Sequence, residues 1–264
     1  MYILIFLSKI ENCISDVQAW LLHNKLIMNE HKTLFIAFVP SYYNTQVDKI
    51  NIKIGSSLIK VASTVTNLGV RLDRNLKMST QTSHIMSSCA YQLKLVNSIR
   101  SNLGIRVTER VVNAVFTSRL DYCNSMLAGI TERDFTRLQR LQNSAARCVL
   151  MRTRDCSATE MLCELHWLPV RKRVKYKLLL LTYKTLHGMG PGYLVDQLKE
   201  YCPTRTLRSC ESNLLVVKKT RSKMCDSSFT VAAAVLWTSL PLQIKHSKTT
   251  DNFKTLIKTY LYML

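Results

Sequence analysis

The sequence has few acidic residues, and it lacks the paired carboxylates that metal-dependent phosphoryl transfer requires. Its nine Asp residues stand singly, with no Asp-Asp and no Asp-x-Asp pair, whereas such enzymes hold their divalent metal ions between close carboxylates. The motifs GxxxxGK[ST], GxGxxG, HExxH and GxSxG are also missing. We therefore predict no catalytic residue, no metal-binding residue and no cofactor, and we expect no enzymatic activity of this chain on its own.

Cysteine pairs with metal-binding spacing are also absent. The nine cysteines are odd in number and form no CxxC, and most fall on helix-like apolar stripes. This usage is typical of reduced cysteines that act as small hydrophobic residues, which predicts a cytoplasmic or nuclear protein and not a secreted one. Cys156, Cys163 and His166 form the one metal-like cluster, but it lacks a fourth ligand, so we predict core residues there.

Long hydrophobic runs are missing too. The N-terminal run MYILIFL has seven residues, too few to span a membrane, and it lacks the basic flank and the cleavage site of a signal peptide. We therefore predict no membrane partner. The run looks like a buried strand that begins abruptly, which suggests a truncated start.

Positive charge is what the sequence has in excess. Lys and Arg number 37 against 17 Asp and Glu, which gives a formal net charge of +20. Such a surplus indicates an anionic partner, with nucleic acid as the first candidate and an anionic membrane as the second. A merely soluble basic protein is the alternative.

The apolar patterns predict an α+β fold that is mostly α-helical, in three regions. Residues 1–75 combine one amphipathic helix with short strands, residues 76–187 form a helical bundle, and residues 188–264 contain a basic loop followed by terminal helices. In the first region we predict a strand at Leu34–Val39, a hairpin around Gly55 and a single strand at Asn67–Asp73. The helical stripe of the first region consists of Ile10, Ile14, Val17 and Leu21. The first stripe of the second region consists of Ile85, Cys89, Leu93 and Val96.

The clearest helix runs from Thr131 to Leu150. Thr131 and Asp134 form a variant of the capping box at its start. Its apolar face consists of Phe135, Leu138, Leu141, Ala145 and Cys148, and a separate stripe of about 80° on the helical wheel consists of Arg133, Arg137, Arg140 and Arg147. A solvated face usually mixes charges of both signs. The all-arginine stripe therefore predicts contact with phosphate, which the planar guanidinium binds in a bidentate manner.

A second helix, opened by Pro169, lies within Leu165–Gly188. Its basic residues are distributed almost all the way around the helix axis, and so are Leu178–Leu181. Neither set lies on one face, so the sequence predicts a division along the axis, with a charged front end and a buried back end. Cations near a helix N-terminus oppose the helix dipole by up to ~1 kcal/mol each. We therefore predict that the front end also faces a phosphate backbone, and we assign Arg171, Lys172 and Lys175 to this surface.

The order of the segments resembles one family, the reverse transcriptase of LINE-type (non-LTR) retrotransposons of the jockey-like group. The segments that carry the resemblance from about Asn12 onward are LGVRLD, SRLDYCNSML, LQRLQNSAARCVL, LHWLPVRKRVKYKLLLLTYKTLHG with the trailing GPGYL, LRS, and VLWTSLPLQIK. The stretch WLLHNKLIMNEHKT is similar to the late palm segment of the family. There the matching residues are Trp20, Asn24, Leu26, Asn29, Lys32 and Thr33, and Leu34 stands where the family usually has an acidic residue.

The resemblance implies a fragment of an RNA-directed DNA polymerase, with a palm-like remnant in residues 1–75 and a thumb-like bundle after it. The catalytic Tyr-x-Asp-Asp hairpin of the family would lie upstream of this chain, so Mg²⁺ is expected only for the intact enzyme. The remaining role would be binding of the RNA or DNA backbone of template and primer without sequence specificity. The missing fingers and palm portion is a further expected partner. The alternative is a non-catalytic helical module for protein interaction, in which the basic charge is incidental.

Overall fold

The computed structural model describes residues 2–55, 57–201 and 213–263. It confirms the predicted α+β class, mostly α-helical. The chain divides into two compact units, Met1–Leu76 and Lys77–Leu264. Helices on both sides of residue 188 pack together within the second unit, so the predicted boundary there does not separate compact units.

The first unit contains one long helix and two antiparallel hairpins. Its elements are α1 (Tyr2–His23), β1 (Asn51–Ile54), β2 (Ser57–Lys60), β3 (Thr64–Asn67) and β4 (Val70–Asp73), with short helical turns at Glu30–Lys32, Ser41–Tyr43 and Asn44–Val47. Strand β1 pairs with β2 so that Asn51 lies opposite Lys60, and β3 pairs with β4 in the same sense. The hairpin predicted around Gly55 is thereby confirmed.

Two strand predictions in this unit are wrong, and a third is correct only in part. Residues 2–7 of the run MYILIFL belong to helix α1, and Leu34–Val39 forms only an isolated bridge from Phe35 to Val61. Short apolar runs have no periodicity that distinguishes a strand from a buried helix or loop. In the strand predicted at Asn67–Asp73, Val70–Asp73 is strand β4, as predicted, but Asn67 is the last residue of β3. A hairpin turn separates the two, since Leu68 and Gly69 have φ of 47° and 80°. Positive φ at both central residues is what a tight hairpin turn requires, and glycine adopts it at no steric cost.

The second unit is almost wholly helical. Its main helices are α2 (Ser79–Ile99), α3 (Ile105–Val112), α4 (Glu132–Leu150), α5 (Ala158–Glu164), α6 (Val170–Leu186), α7 (Phe229–Thr238) and α8 (Thr250–Met263). A π-helical stretch and a helical turn, Asn113–Thr117 and Ser118–Asp121, continue α3. Shorter turns lie at Arg100–Asn102, Asn124–Gly129, Gly192–Val195, Lys223–Asp226 and Leu242–Lys245. The predicted motif LRS, Leu207–Ser209, lies outside the described residues.

Helix α6 passes through the main core of this unit. Tyr183 stacks on Phe253 of α8 with ring centroids 4.2 Å apart, and the Tyr183 hydroxyl donates to the Ser247 carbonyl at 2.7 Å. Trp237 of α7 is fully buried in the same cluster. The stripe predicted for α2 is also confirmed, since Ile85, Cys89, Leu93 and Val96 are all buried. Among the helices that the structure describes, none combines the length and the apolar character that a membrane span requires.

The cysteines are less buried than the sequence predicts. The seven in the described ranges are free thiols, and only Cys89 and Cys148 among them are buried. Cys163 is exposed, as is the neighbouring His166, while Cys156 is half-buried, so the core role predicted for this cluster is wrong for two of its three members. The apolar pattern did not reveal the exposure of Cys163, because α5 has only two turns and is covered on one side only. Cys202 and Cys210 lie outside the described residues.

We expect the Cys89 thiol to resist alkylation in the folded protein. Burial raises the pKa of Cys89 to about 11, and the nearby charge of Arg119 opposes this only in part. At pH 8 the reactive thiolate would then be on the order of 0.1% of the thiol. In timed labelling with iodoacetamide followed by peptide mass spectrometry, Cys163 and Cys225 should react at least about ten-fold faster than Cys89. Equal rates in the native protein would contradict the position of α2, and equal rates in urea are the control.

Candidate nucleic-acid interface

Helix α4 forms where the sequence predicts it. The Thr131 hydroxyl accepts a hydrogen bond from the Asp134 amide at 3.2 Å, which satisfies one of the free N–H groups of the first turn. The predicted apolar face is buried at Phe135, Leu138, Ala145 and Cys148, whereas Leu141 is half-buried. Gln142, Ala146 and Val149 are buried as well, so the covered side of the helix is wider than the predicted apolar face.

The four arginines of the predicted stripe, hereafter the arginine stripe, lie in three different environments. Arg133 and Arg140 are exposed and form no ion pair within the described part of the chain. The Arg137 side chain is 40% exposed and lies 3.3 Å from the Asp134 carboxylate. Arg147 is half-buried, and its Nε is a buried atom with no hydrogen-bond partner among the described residues. Two cations of the stripe, Arg133 and Arg140, are thus exposed to solvent.

The front end of α6 is held by carboxylates of other elements. Arg171 pairs with Glu132 in the first turn of α4, and its guanidinium carbon lies 4.3 Å from the centroid of the Phe135 ring. Arg173 pairs with Asp121, and its Nε donates to the Leu168 carbonyl at 3.0 Å. These pairs offset the unfavourable interaction of two cations with the helix dipole. A bound phosphate is therefore not needed to compensate for the positive charge at the front end.

The predicted division of α6 along its axis is correct only in part. No residue from Leu178 to Leu186 is exposed, as expected of a buried back end. At the front, however, Val170 and Val174 are buried as well, because the apolar residues of the first turns are spaced four apart and face the core. Leu178 and Leu179 are buried as predicted, whereas Leu180 and Leu181 are half-buried.

Two glutamines of α4 fix the start of α6. The Gln139 side-chain oxygen accepts a hydrogen bond from the Val170 amide at 2.9 Å, and the Gln142 side-chain amide donates to the Leu168 carbonyl at 2.9 Å. Pro169, at the N-cap of α6, supplies no capping side chain. Gln142 is only 1% exposed, which indicates a structural role that the helical pattern did not reveal.

The predicted site residues are therefore not brought onto a single face. On a regular helix the residues of α4 that contact α6 lie about 140° from the arginine stripe. Arg171 reaches α4 on that other side, through Glu132. Lys172 and Lys175 are half-buried, and Lys175 lines a groove between α6 and α7 together with Arg171.

Arg100 contacts the C-terminal end of α4, a role that no pattern in the sequence predicts. Its Nε and Nη2 donate to the carbonyls of Cys148 and Val149, both at 2.7 Å, and Nη1 donates to the Leu103 carbonyl. The residue is only 6% exposed. The carbonyls of Cys148 and Val149 belong to the last turn of α4, where helix carbonyls lack helical partners and the helix dipole attracts cations.

The magnesium ions implied by the family resemblance do not fit the described side chains. Within residues 2–55, 57–201 and 213–263, no three His, Cys, Asp or Glu side chains are grouped so that they could hold a metal ion. Asp121 and Asp134 are instead paired with arginines. We therefore derive no metal-dependent step for this chain.

The segments that carry the resemblance fall on distinct elements. LGVRLD supplies the turn and last strand of the β3–β4 hairpin, and LQRLQNSAARCVL lies within α4. The SRLDYCNSML segment runs from the helical turn at Ser118 into the turn at Asn124–Gly129. In comparisons with known proteins, no family model, no curated protein and no solved structure matches this chain.

Proposed function

We propose that this chain binds the phosphate backbone of nucleic acid without sequence specificity, through the arginine stripe of α4. The observation that carries the proposal is the exposure of Arg133 and Arg140 on one face of a 19-residue helix. Neither forms an ion pair with a described carboxylate. The net charge of +20 adds a general attraction to polyanions.

The spacing along α4 suits contacts with several phosphates. Arg133 and Arg140 are separated by about 10 Å along the helix axis, and phosphates of one duplex strand repeat every ~3.4 Å. Each guanidinium can therefore contact a different phosphate, and Arg147 extends the row by two more turns. Contacts of this kind position a protein on a strand but do not read its bases.

We further propose that this binding is the role of a thumb-like part of a retrotransposon reverse transcriptase, which holds template and primer. The support is the order of the sequence motifs, together with the helical unit that follows two small hairpins. Such a chain would work with a fingers and palm portion supplied elsewhere, and Mg²⁺ would act only there. The free thiols of the described cysteines favour a cytoplasmic or nuclear location.

Replacing both Arg133 and Arg140 by Gln should weaken nucleic-acid binding about equally for all sequences. Because two phosphate contacts are lost, the slope of log Kobs against log salt should flatten by up to ~2 on duplex DNA. The measurement is filter binding at several salt concentrations with two duplexes of unrelated sequence. We choose these two positions because Arg137 is already paired with Asp134.

The matched control is the double change Arg106→Gln and Arg110→Gln, which removes two exposed arginines from α3. It lowers the net charge by the same amount but leaves the arginine stripe intact. The slope should therefore stay within about half a unit of the wild type. If the α4 variant is folded and binds as the wild type does, or if both variants lose affinity equally, the arginine stripe is not the binding surface.

The groove between α6 and α7 favours a second candidate function, binding of a protein partner. It has a volume of about 340 Å³, and Arg171, Lys175 and Asp226 are its charged members. Its apolar lining consists of Ala128, Phe135, Val174, Leu178, Val231, Ala232, Val235 and Leu236. Val235 is 49% exposed although it is apolar. Binding there would respond little to salt, which separates this candidate from phosphate contact.

A further inference from the structure

Two adjoining cavities in the second unit form one groove beside α6, hereafter the α6–α8 groove. The cavities have volumes of about 290 and 370 Å³, and they share His166, Tyr176 and Lys258 as lining residues. The described lining residues all lie outside α4. The groove is therefore separate from the arginine stripe, and what it binds does not depend on the proposed function.

Part of the charge in the groove is neutralised within the protein. Asp121, the one described carboxylate that lines it, pairs with Arg173. Burial raises the pKa of the Asp121 carboxyl above its usual range, and the charge of Arg173 acts in the opposite direction. Lys254 lies 2.9 Å from the Asp251 carboxylate. These two cations already have anionic partners.

Lys177 and Lys258 form no such ion pair among the described residues, although Lys177 lies close enough to Asp121 for its charge to lower the pKa of that carboxyl. Both line the first cavity, and both are exposed. The imidazole of His166 lies beside them in the lining. Two ammonium groups that share a cavity repel each other, and an anion between them removes this cost.

The groove also holds buried polar atoms without partners. Asn124 lines the first cavity and is only 4% exposed. Its Nδ2 donates to the Asp121 carboxylate at 3.1 Å, while its Oδ1 has no hydrogen-bond partner among the described residues. The hydroxyl of Tyr262, which lines the second cavity, is unpartnered in the same way. Buried polar groups are rarely left unsatisfied, but both atoms are inaccessible to solvent. A ligand in the groove would reach them only after a side chain moves, so Lys177 and Lys258 are the residues that indicate an anionic ligand.

An apolar wall completes the first cavity. Leu168 is buried, and Tyr176 and Leu180 are half-buried. Inorganic phosphate alone would make no contact with these apolar residues. The cavities together fall within the ~300–1,000 Å³ of ordinary small-molecule sites, which is enough for a ring system and one phosphate.

We propose that the α6–α8 groove binds the phosphomonoester of a single nucleotide. Lys177 and Lys258 contact the phosphate, and the nucleoside packs on the wall formed by Leu168, Tyr176 and Leu180. The nucleotide is either free or the 5′-phosphorylated end of a strand, since both present the same terminal group.

The test is isothermal titration calorimetry of the full chain with AMP, adenosine, inorganic phosphate, and a short oligonucleotide with a 5′-phosphate or a 5′-hydroxyl. AMP should bind at least about ten-fold more tightly than adenosine or phosphate. Preference for the phosphorylated oligonucleotide assigns the strand end, and equal binding of the two oligonucleotides assigns the free nucleotide. The change Lys177→Gln with Lys258→Gln should weaken AMP binding by about ten-fold or more.

The matched control is Lys94→Gln with Lys248→Gln, which removes two exposed charges outside the groove and should leave the AMP affinity within about two-fold. The arginine-stripe variant should also retain AMP binding, even if it no longer binds duplex DNA. The proposal is overturned if AMP fails to bind at ~1 mM, on the order of the weakest specific ligands. It is also overturned if adenosine binds as well as AMP, or if the folded groove variant binds AMP like the control.

Discussion

Replacement of Leu179 by Asp should unfold the second unit. Leu179 is 2% exposed and belongs to the core cluster that contains Tyr183 and Trp237. The change removes buried apolar surface and places a carboxylate in a cluster of buried, mainly apolar residues. Large-to-small core changes alone cost about 2–5 kcal/mol, and an unpaired buried charge adds to this. We therefore expect a loss of about 5 kcal/mol or more, comparable to the whole stability of many domains.

Tryptophan fluorescence during urea unfolding measures this effect in the correct unit. Trp167 and Trp237 are buried in the second unit, whereas Trp20, in the first, is 62% exposed. A red shift of the emission therefore reports mainly on the second unit. In the variant the emission should already be red-shifted without urea. Wild-type emission and an unchanged urea midpoint would show that Leu179 does not lie in the core.

The neighbouring change Leu180→Asp is the matched control. Leu180 is half-buried and lines the α6–α8 groove beside Arg173 and Lys177. A carboxylate there can remain hydrated and lies near positive charge, so its cost should be smaller, about 1–2 kcal/mol. The two variants have the same composition and differ only in which side of α6 they change.

Replacement of Arg100 by Met should cost about 3–5 kcal/mol of stability. Met keeps much of the side-chain volume, but it leaves the carbonyls of Cys148, Val149 and Leu103 without their donors. Each buried polar group left unsatisfied costs about 1–3 kcal/mol, and the favourable interaction of the cation with the C-terminal end of the α4 dipole is lost as well. The measurement is the urea midpoint of the same fluorescence transition.

Two controls separate the geometry of Arg100 from its charge. Arg100→Lys retains the charge but not the planar fork, so it should recover only part of the loss. Arg106→Met removes an exposed arginine from α3 and should change stability by less than about 0.5 kcal/mol. Full recovery with Lys would mean that charge alone matters at this position.

Periodicity explains which parts of the fold could be predicted from the sequence. Helix α4 has a capping residue, Thr131, and an apolar face repeated at helical spacing, so its start and most of its buried side follow from local information. The strand predicted at Leu34–Val39 was supported only by a short apolar run, and such a run shows no periodicity that distinguishes a strand from other structures. The turn at Leu68 was missed because only Gly69 carries a turn signal.

For the site residues, too, only local ion pairs could be predicted from the sequence. The pair Asp134–Arg137 is three residues apart on one helix, a spacing at which side chains meet, so the sequence could have predicted it. Arg171 and its partner Glu132 are 39 positions apart, and Arg173 and Asp121 are 52 apart. Pairs at such separations depend on how the helices pack, for which a single sequence gives no local signal. Charge at the front of α6 was therefore assigned to phosphate, although two of its arginines have partners within the protein.

The cap that Gln139 provides for α6 has a consequence for which sequence changes α4 tolerates. Position 139 lies in the middle of one helix, yet its side-chain oxygen accepts the N–H of Val170, the first residue of the other helix. A Ser or Asp at the N-cap could not replace this bond, because N-cap side chains accept from the second or third helical residue. Replacing Gln139 by Leu should therefore cost stability whichever residue stands at position 169, so variation along α4 is constrained by the start of α6, although the two are distant in the sequence.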